Sequence, residues 1–105
     1  MTIGIDLVYI KDFKQRLERK EILEKIFLKS ELAIMPNLQK SAGIFAAKEA
    51  FMKAFGKKID WLDVWIELLP SGKPTIHCNH LNNGQKTELS ISHAGDYTTA
   101  IVIIT

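Results

Sequence analysis

The sequence predicts an α+β domain with helices packed on a mainly antiparallel sheet. Three observations carry that expectation. Residues alternate in strand fashion near both ends, charged and apolar residues fall in helical register between residues 11 and 55, and Gly- and Pro-containing turns separate strand-like runs. A chain of 105 residues with no internal repeat, low-complexity tract or linker reads as one domain over 1–105.

The elements follow in order. Over Thr2 to Val8, Ile3, Ile5 and Leu7 fall on one face and Gly4, Asp6 and Val8 on the other. Residues 11–34 carry Phe13, Leu17, Ile22, Leu23, Ile26 and Phe27 as a broken helical stripe, and Pro36 closes the region. Ser41 is a plausible N-cap for a second helix that runs to about Phe55, with Gly56 as its stop. Leu62–Leu69 and Thr75–Cys78 form a hairpin around Pro70-Ser-Gly-Lys-Pro74. Residues 79–86 are polar and read as a loop or a short helix. Glu88–His93 and Tyr97–Ile104 form a closing hairpin around Ala94-Gly-Asp96.

Composition narrows the function classes. With 47% hydrophobic and 25% charged residues the chain is not disordered, and a formal net charge of +2 is too small for general nucleic-acid binding. Its lysines are uneven: Lys48, Lys53, Lys57 and Lys58 crowd the end of the second helix, which suits a local anionic ligand. The single cysteine, Cys78, forms no intrachain disulfide and belongs to no zinc-type cluster, so a cytoplasmic setting is expected. The start has no basic-then-apolar signal segment, and the apolar run Ala100–Ile104 is too short to cross a membrane.

The stretch Phe45-Ala-Ala-Lys-Glu-Ala-Phe-Met-Lys-Ala-Phe-Gly56 is the richest in candidates. Its i,i+4 spacing puts Glu49 and Lys53 on one helix face beside Phe45 and Met52. A Glu one turn before a Lys is also the commonest solvated helix pair, worth only about 0.2–0.5 kcal/mol. Asp6 sits among apolar neighbours, with Gly4 leaving open space on its face. It reads either as a helix-capping residue or, with Glu49, as a hard-cation ligand. Ser90-Ile-Ser-His93 ends a strand; adjacent strand residues point apart, so Ser92 and His93 make no nucleophilic pair. His93 is an anion-binding or a purely structural histidine. His77 and His80 have no context that assigns them.

Taken in order, Gly4-Ile-Asp6, Phe45-Ala-Ala-Lys-Glu-Ala-Phe51 with Lys53, Gly72-Lys-Pro74 and Ser90-Ile-Ser-His93 resemble the holo-acyl-carrier-protein synthase group of 4′-phosphopantetheinyl transferases. The motifs span nearly the whole chain. The resemblance implies transfer of phosphopantetheine from coenzyme A to a serine of an apo acyl-carrier protein, in fatty acid biosynthesis, with release of adenosine 3′,5′-bisphosphate. It implies that Asp6 and Glu49 hold Mg2+, and that Glu49 helps take the serine proton, directly or through a bound water. It further implies that Lys53, with Lys48 as a weaker candidate, neutralises the pyrophosphate, and that Lys73 and His93 contact the 3′-phosphate end of coenzyme A. A single-copy chain resembles the small class, whose sites form between subunits of a homotrimer.

Two positions depart from the pattern. Family members usually carry arginine where this chain has Asp12 and Ile44, which implies weaker attraction to an acidic carrier, and with it either a less common carrier partner or weak activity on the usual one. Lys11, Lys14 and Arg16 are available nearby. The competing expectations are a non-catalytic coenzyme A or nucleotide-binding paralogue and a small structural domain.

Overall fold

The polar-looking side of the first strand is the buried one. In the computed structural model, which describes residues 1–105, strand β1 (Thr2–Tyr9) turns Gly4, Asp6 and Val8 inward and leaves Ile3, Ile5 and Leu7 more than half exposed. The open space expected beside Gly4 is filled by helix α4 (Leu38–Phe55). A Cβ at Gly4 would overlap the Ala50 carbonyl oxygen and lie 2.7 Å from the Ala54 nitrogen. Glycine is used here for backbone-to-backbone approach.

Helix α4 is central, not a surface element. Ala46, Ala47, Ala50, Phe51 and Ala54 are all buried, so small side chains let the sheet come close on more than one face. The helix begins four residues earlier than Ser41 suggests. Asn37 is the cap, its Oδ1 accepting from the Lys40 amide at 2.9 Å, while Ser41 Oγ donates back to the Asn37 carbonyl. Gly56, at φ 74°, ends the helix as its sequence indicates.

The helical region before it is three short helices, α1 (Ile10–Leu17), α2 (Lys20–Ile26) and α3 (Lys29–Leu32). Extended backbone at Arg19, and at Phe27 and Leu28, separates them. Phe13 of α1 packs on Phe45 of α4 with ring centroids 4.9 Å apart, and Trp61 stacks on Phe45 at 5.1 Å.

Five strands form two antiparallel sheets. β2 (Val64–Leu68) and β3 (Pro74–Cys78) make the first hairpin, and residues 79–86 are a loop. β4 (Thr87–Ala94) and β5 (Tyr97–Ile104) make the second, turning at Gly95-Asp96 with positive φ carried by Gly95 alone. The larger sheet runs β1-β5-β4. Its inward face has cross-strand rows Val8–Thr98–His93, Asp6–Ala100–Ile91 and Gly4–Val102–Leu89, and α4 lies over them. No helix is long and apolar enough to cross a membrane.

Candidate active site

The close seat of α4 on β1 brings Asp6, Glu49 and Lys53 together. Lys53 Nζ donates to the Ile5 carbonyl at 2.9 Å and to Asp6 Oδ1 at 3.2 Å. The ammonium therefore pairs across to the strand, not along the helix to Glu49. Asp6 Oδ2 is enclosed with no hydrogen-bond partner. The Glu49 carboxyl is pushed up to about 7, chiefly by burial and then by the neighbouring Asp6, while Lys53 and Arg16 pull the other way. A protonated Glu49 donates to Asp6, and an ionised one leaves two carboxylates facing each other with no donor between them.

That donor set fits a hard cation. Two carboxylates, one oxygen of which is buried and unpartnered, are what magnesium commonly takes from a protein, with the remaining positions left to water and phosphate oxygens. Beside them lies a groove of about 300 Å3 lined by Glu49, Asp12 and Arg16 over an apolar floor of Leu7, Phe13 and Phe45.

Lys48 belongs to the core instead. Its ammonium is fully buried, bonded to Glu31 Oε1 at 2.7 Å and to the Ile26 carbonyl at 2.6 Å. Glu31 in turn accepts from the Leu28 and Ile66 amides at 2.9 and 3.0 Å. Burial pushes the Lys48 ammonium down from the ordinary lysine range and Glu31 opposes that. A side chain so enclosed has no face to offer a pyrophosphate, so the expected contact from Lys48 is withdrawn. The carboxylate that holds it, Glu31, lies 17 residues away, and no spacing rule links the two.

His93 and the Gly72-Lys-Pro74 turn meet at a second groove, of about 560 Å3, between the start of α4, the β2–β3 hairpin and β4–β5. Gln39 Nε2 lies 2.9 Å from His93 Nδ1. An amide nitrogen only donates, so Nδ1 accepts and the neutral ring carries its proton on Nε2. Lys73 is exposed in the turn. Ile44 lines this groove and Asp12 the other, so the two departures do not form one surface. His77 and His80 are engaged elsewhere, with Thr75 and Asp63.

The two grooves share no lining residue. Asp6 and His93 sit on opposite edge strands with β5 between them and one row apart. Their Cα atoms are then roughly 12 Å apart by strand geometry, with α4 packed over the intervening sheet.

Residues 2–102 match the sequence profile of the 4′-phosphopantetheinyl transferase superfamily. The holo-(acyl-carrier-protein) synthase of Nautilia profundicola is 36% identical over 110 residues, with 97% of each chain covered. That of Chloroherpeton thalassium is 38% identical over 117 residues, covering 99% of this chain and 97% of the relative. The Helicobacter pylori synthase in complex with coenzyme A superposes with a TM-score of 0.87 at 27% identity, covering 98% and 99% of the two chains. The Bacillus anthracis synthase with coenzyme A (3′,5′-ADP) gives 0.84 at 27% identity, covering 98% and 94%. With its profile match and its full-length likeness in sequence and fold, this chain belongs to the 4′-phosphopantetheinyl transferase superfamily, in its holo-(acyl-carrier-protein) synthase branch.

Proposed function

We propose that this enzyme transfers 4′-phosphopantetheine from coenzyme A to a serine of an apo acyl-carrier protein and releases adenosine 3′,5′-bisphosphate. The observation that carries the reading is the buried, partnerless Asp6 oxygen beside a Glu49 held near neutrality and a Lys53 ammonium. Asp6 and Glu49 are the residues that would hold Mg2+. When bound, that ion supplies Lewis-acid polarisation of the pyrophosphate and a template for the two reactants.

This chain's own groups do the remaining work. The serine oxygen forms a bond to the phosphorus next to pantetheine, and the bond from that phosphorus to the bridging oxygen breaks. Glu49 takes the serine proton, directly or through a bound water, as a carboxylate within reach of the hydroxyl can. Lys53 faces the charge that develops on the departing nucleotide, held in place by the Ile5 carbonyl and Asp6. Lys73 and the outward proton of His93 take the 3′-phosphate end.

The assembly is a homotrimer with sites shared between subunits. Two features support it. The grooves for the two ends of coenzyme A open separately on one chain. Ile3, Ile5 and Leu7 also form an exposed aliphatic face on the sheet, of the kind that partners cover.

The test incubates the protein with Mg2+, coenzyme A and a panel of apo carrier proteins and looks for the phosphopantetheine mass increase on the carrier. Coenzyme A binding without transfer to any carrier would leave a non-catalytic coenzyme A-binding paralogue. Loss of both transfer and binding would leave a structural domain.

A further inference from the structure

We infer that Lys40 is a further cation, beside Lys73 and His93, by which the second groove reads a terminal phosphate, so that it strengthens the preference for coenzyme A over its 3′-dephospho form; this rests on the proposed activity. The groove's composition is the first reason. It is lined by aliphatic side chains, with Lys40 its sole charged side chain and no carboxylate anywhere along it. The first groove, by contrast, carries Asp12 and Glu49 against Arg16. An apolar trough with a cation at its rim suits a planar heterocycle that carries a phosphate.

Lys40 is also free to act. Lys48 is tied to Glu31 and Lys53 to Asp6, whereas Lys40 takes part in none of the six ion pairs of the fold. Its backbone amide is fixed by Asn37 at the start of an 18-residue helix, so its Cα is placed while its ammonium stays exposed. Neighbouring Gln39 holds His93 at 2.9 Å, and Lys40 and His93 both line the groove.

A buried polar group also lies beneath this groove. Thr98 lines it at 1% exposure, and its Oγ1 has no hydrogen-bond partner. A buried hydroxyl without a partner is costly. Ile44, one helical turn beyond Lys40, keeps the floor apolar between the phosphate reader and the heterocycle.

The test measures calorimetric Kd values for coenzyme A and 3′-dephospho-coenzyme A, in the presence of Mg2+, for the wild type, Lys40→Met and Lys40→Arg. The wild type is expected to prefer coenzyme A. Lys40→Met should weaken coenzyme A binding about tenfold, the loss of one charge-assisted hydrogen bond, and leave dephospho-coenzyme A unchanged. Lys40→Arg should restore most of the preference. If Lys40→Met keeps the wild-type preference, or weakens both ligands equally, the assignment is overturned while the proposed activity stands. A wild type that binds neither ligand overturns the proposed activity and this assignment together.

Discussion

Replacing Glu49 with glutamine should stabilise the cation-free protein while destroying its activity. The glutamine keeps the side chain's size and removes its charge. A carboxyl held at about 7 in the fold against an ordinary 4.5 binds its proton more tightly folded than unfolded. Between those two values the folded protein keeps a proton that the unfolded chain releases, so stability falls as pH rises through the window. Below 4.5 Glu49 contributes no penalty; above 7 the penalty is complete. The full shift corresponds to an upper bound of ~3 kcal/mol. Glu49 is only partly enclosed, and solvent screening reduces that to about 1–2 kcal/mol. For a chain of this size Glu49→Gln should then raise Tm by roughly 5–10 °C at pH 8 in a chelator, and leave it unchanged at pH 4.5. Thermal unfolding at fixed protein concentration, from pH 4.5 to 8, measures this directly. Added Mg2+ should raise the wild-type Tm at pH 8 and leave the variant's unmoved. Transfer should fall by at least about 100-fold. A Glu49→Gln effect that is destabilising at pH 8, or the same at every pH, would refute the account of the carboxylate pair.

Three further substitutions probe how the fold holds this site. Gly4→Ala puts a methyl group into the Ala50 carbonyl, where backbone cannot swing aside; unfolding should show a loss of about 1–3 kcal/mol, and shifting Glu49 and Lys53 from Asp6 should cost about 100-fold in turnover. A folded Gly4→Ala variant with wild-type turnover would show that the close approach does not position the site. Lys48→Met leaves the Glu31 carboxylate buried beside two amides and the Ile26 carbonyl without its donor; urea unfolding should show a loss of about 3–5 kcal/mol, and a loss below 1 kcal/mol would sink the description of that pair. Ile3→Asp, on the exposed sheet face, should leave the monomer fold intact and reduce both the mass seen by light scattering and the transfer activity together; a fully active monomer would rule out shared sites.

Local chemistry made much of this fold legible. Gly56 announced the end of α4, and the Pro70–Pro74 and Ala94–Asp96 turns placed both hairpins. What escaped was decided by partners distant in sequence. The start of α4 lies at Asn37 because the Lys40 amide takes that cap, and Ser41 is left to bond back to the Asn37 carbonyl. The inward face of β1 carries a carboxylate, which is tolerable only because Lys53 reaches it from 47 residues away. Lys48 looked like a ligand cation because lysine is rarely buried, and only Glu31 makes its burial possible. Lys40 and Thr98 give no signal by spacing. Their meaning arises from a groove that four separate segments enclose.

The departures at 12 and 44 take on a different meaning once the helices are in place. Successive residues of α4 turn by about 100°, so Lys48 enters the core while Glu49 faces the first groove, and Lys40 and Ile44 share the second. On the proposed assignment of the two grooves, Ile44 bears on the nucleotide end of coenzyme A, and only Asp12 bears on the groove where a carrier serine would meet Glu49. At each position a cation stands one helical turn away on the same face: Lys40 four residues before Ile44, and Arg16 four residues after Asp12. Each groove thus keeps one positive side chain, displaced by a turn of about 5.4 Å. In the first groove Asp12 and Glu49 outnumber Arg16, so an acidic carrier helix would meet weaker attraction there, while a phosphate at the second groove would meet its cation from a shifted point. A less common carrier partner, or weak activity on the usual one, is then the expectation for this chain.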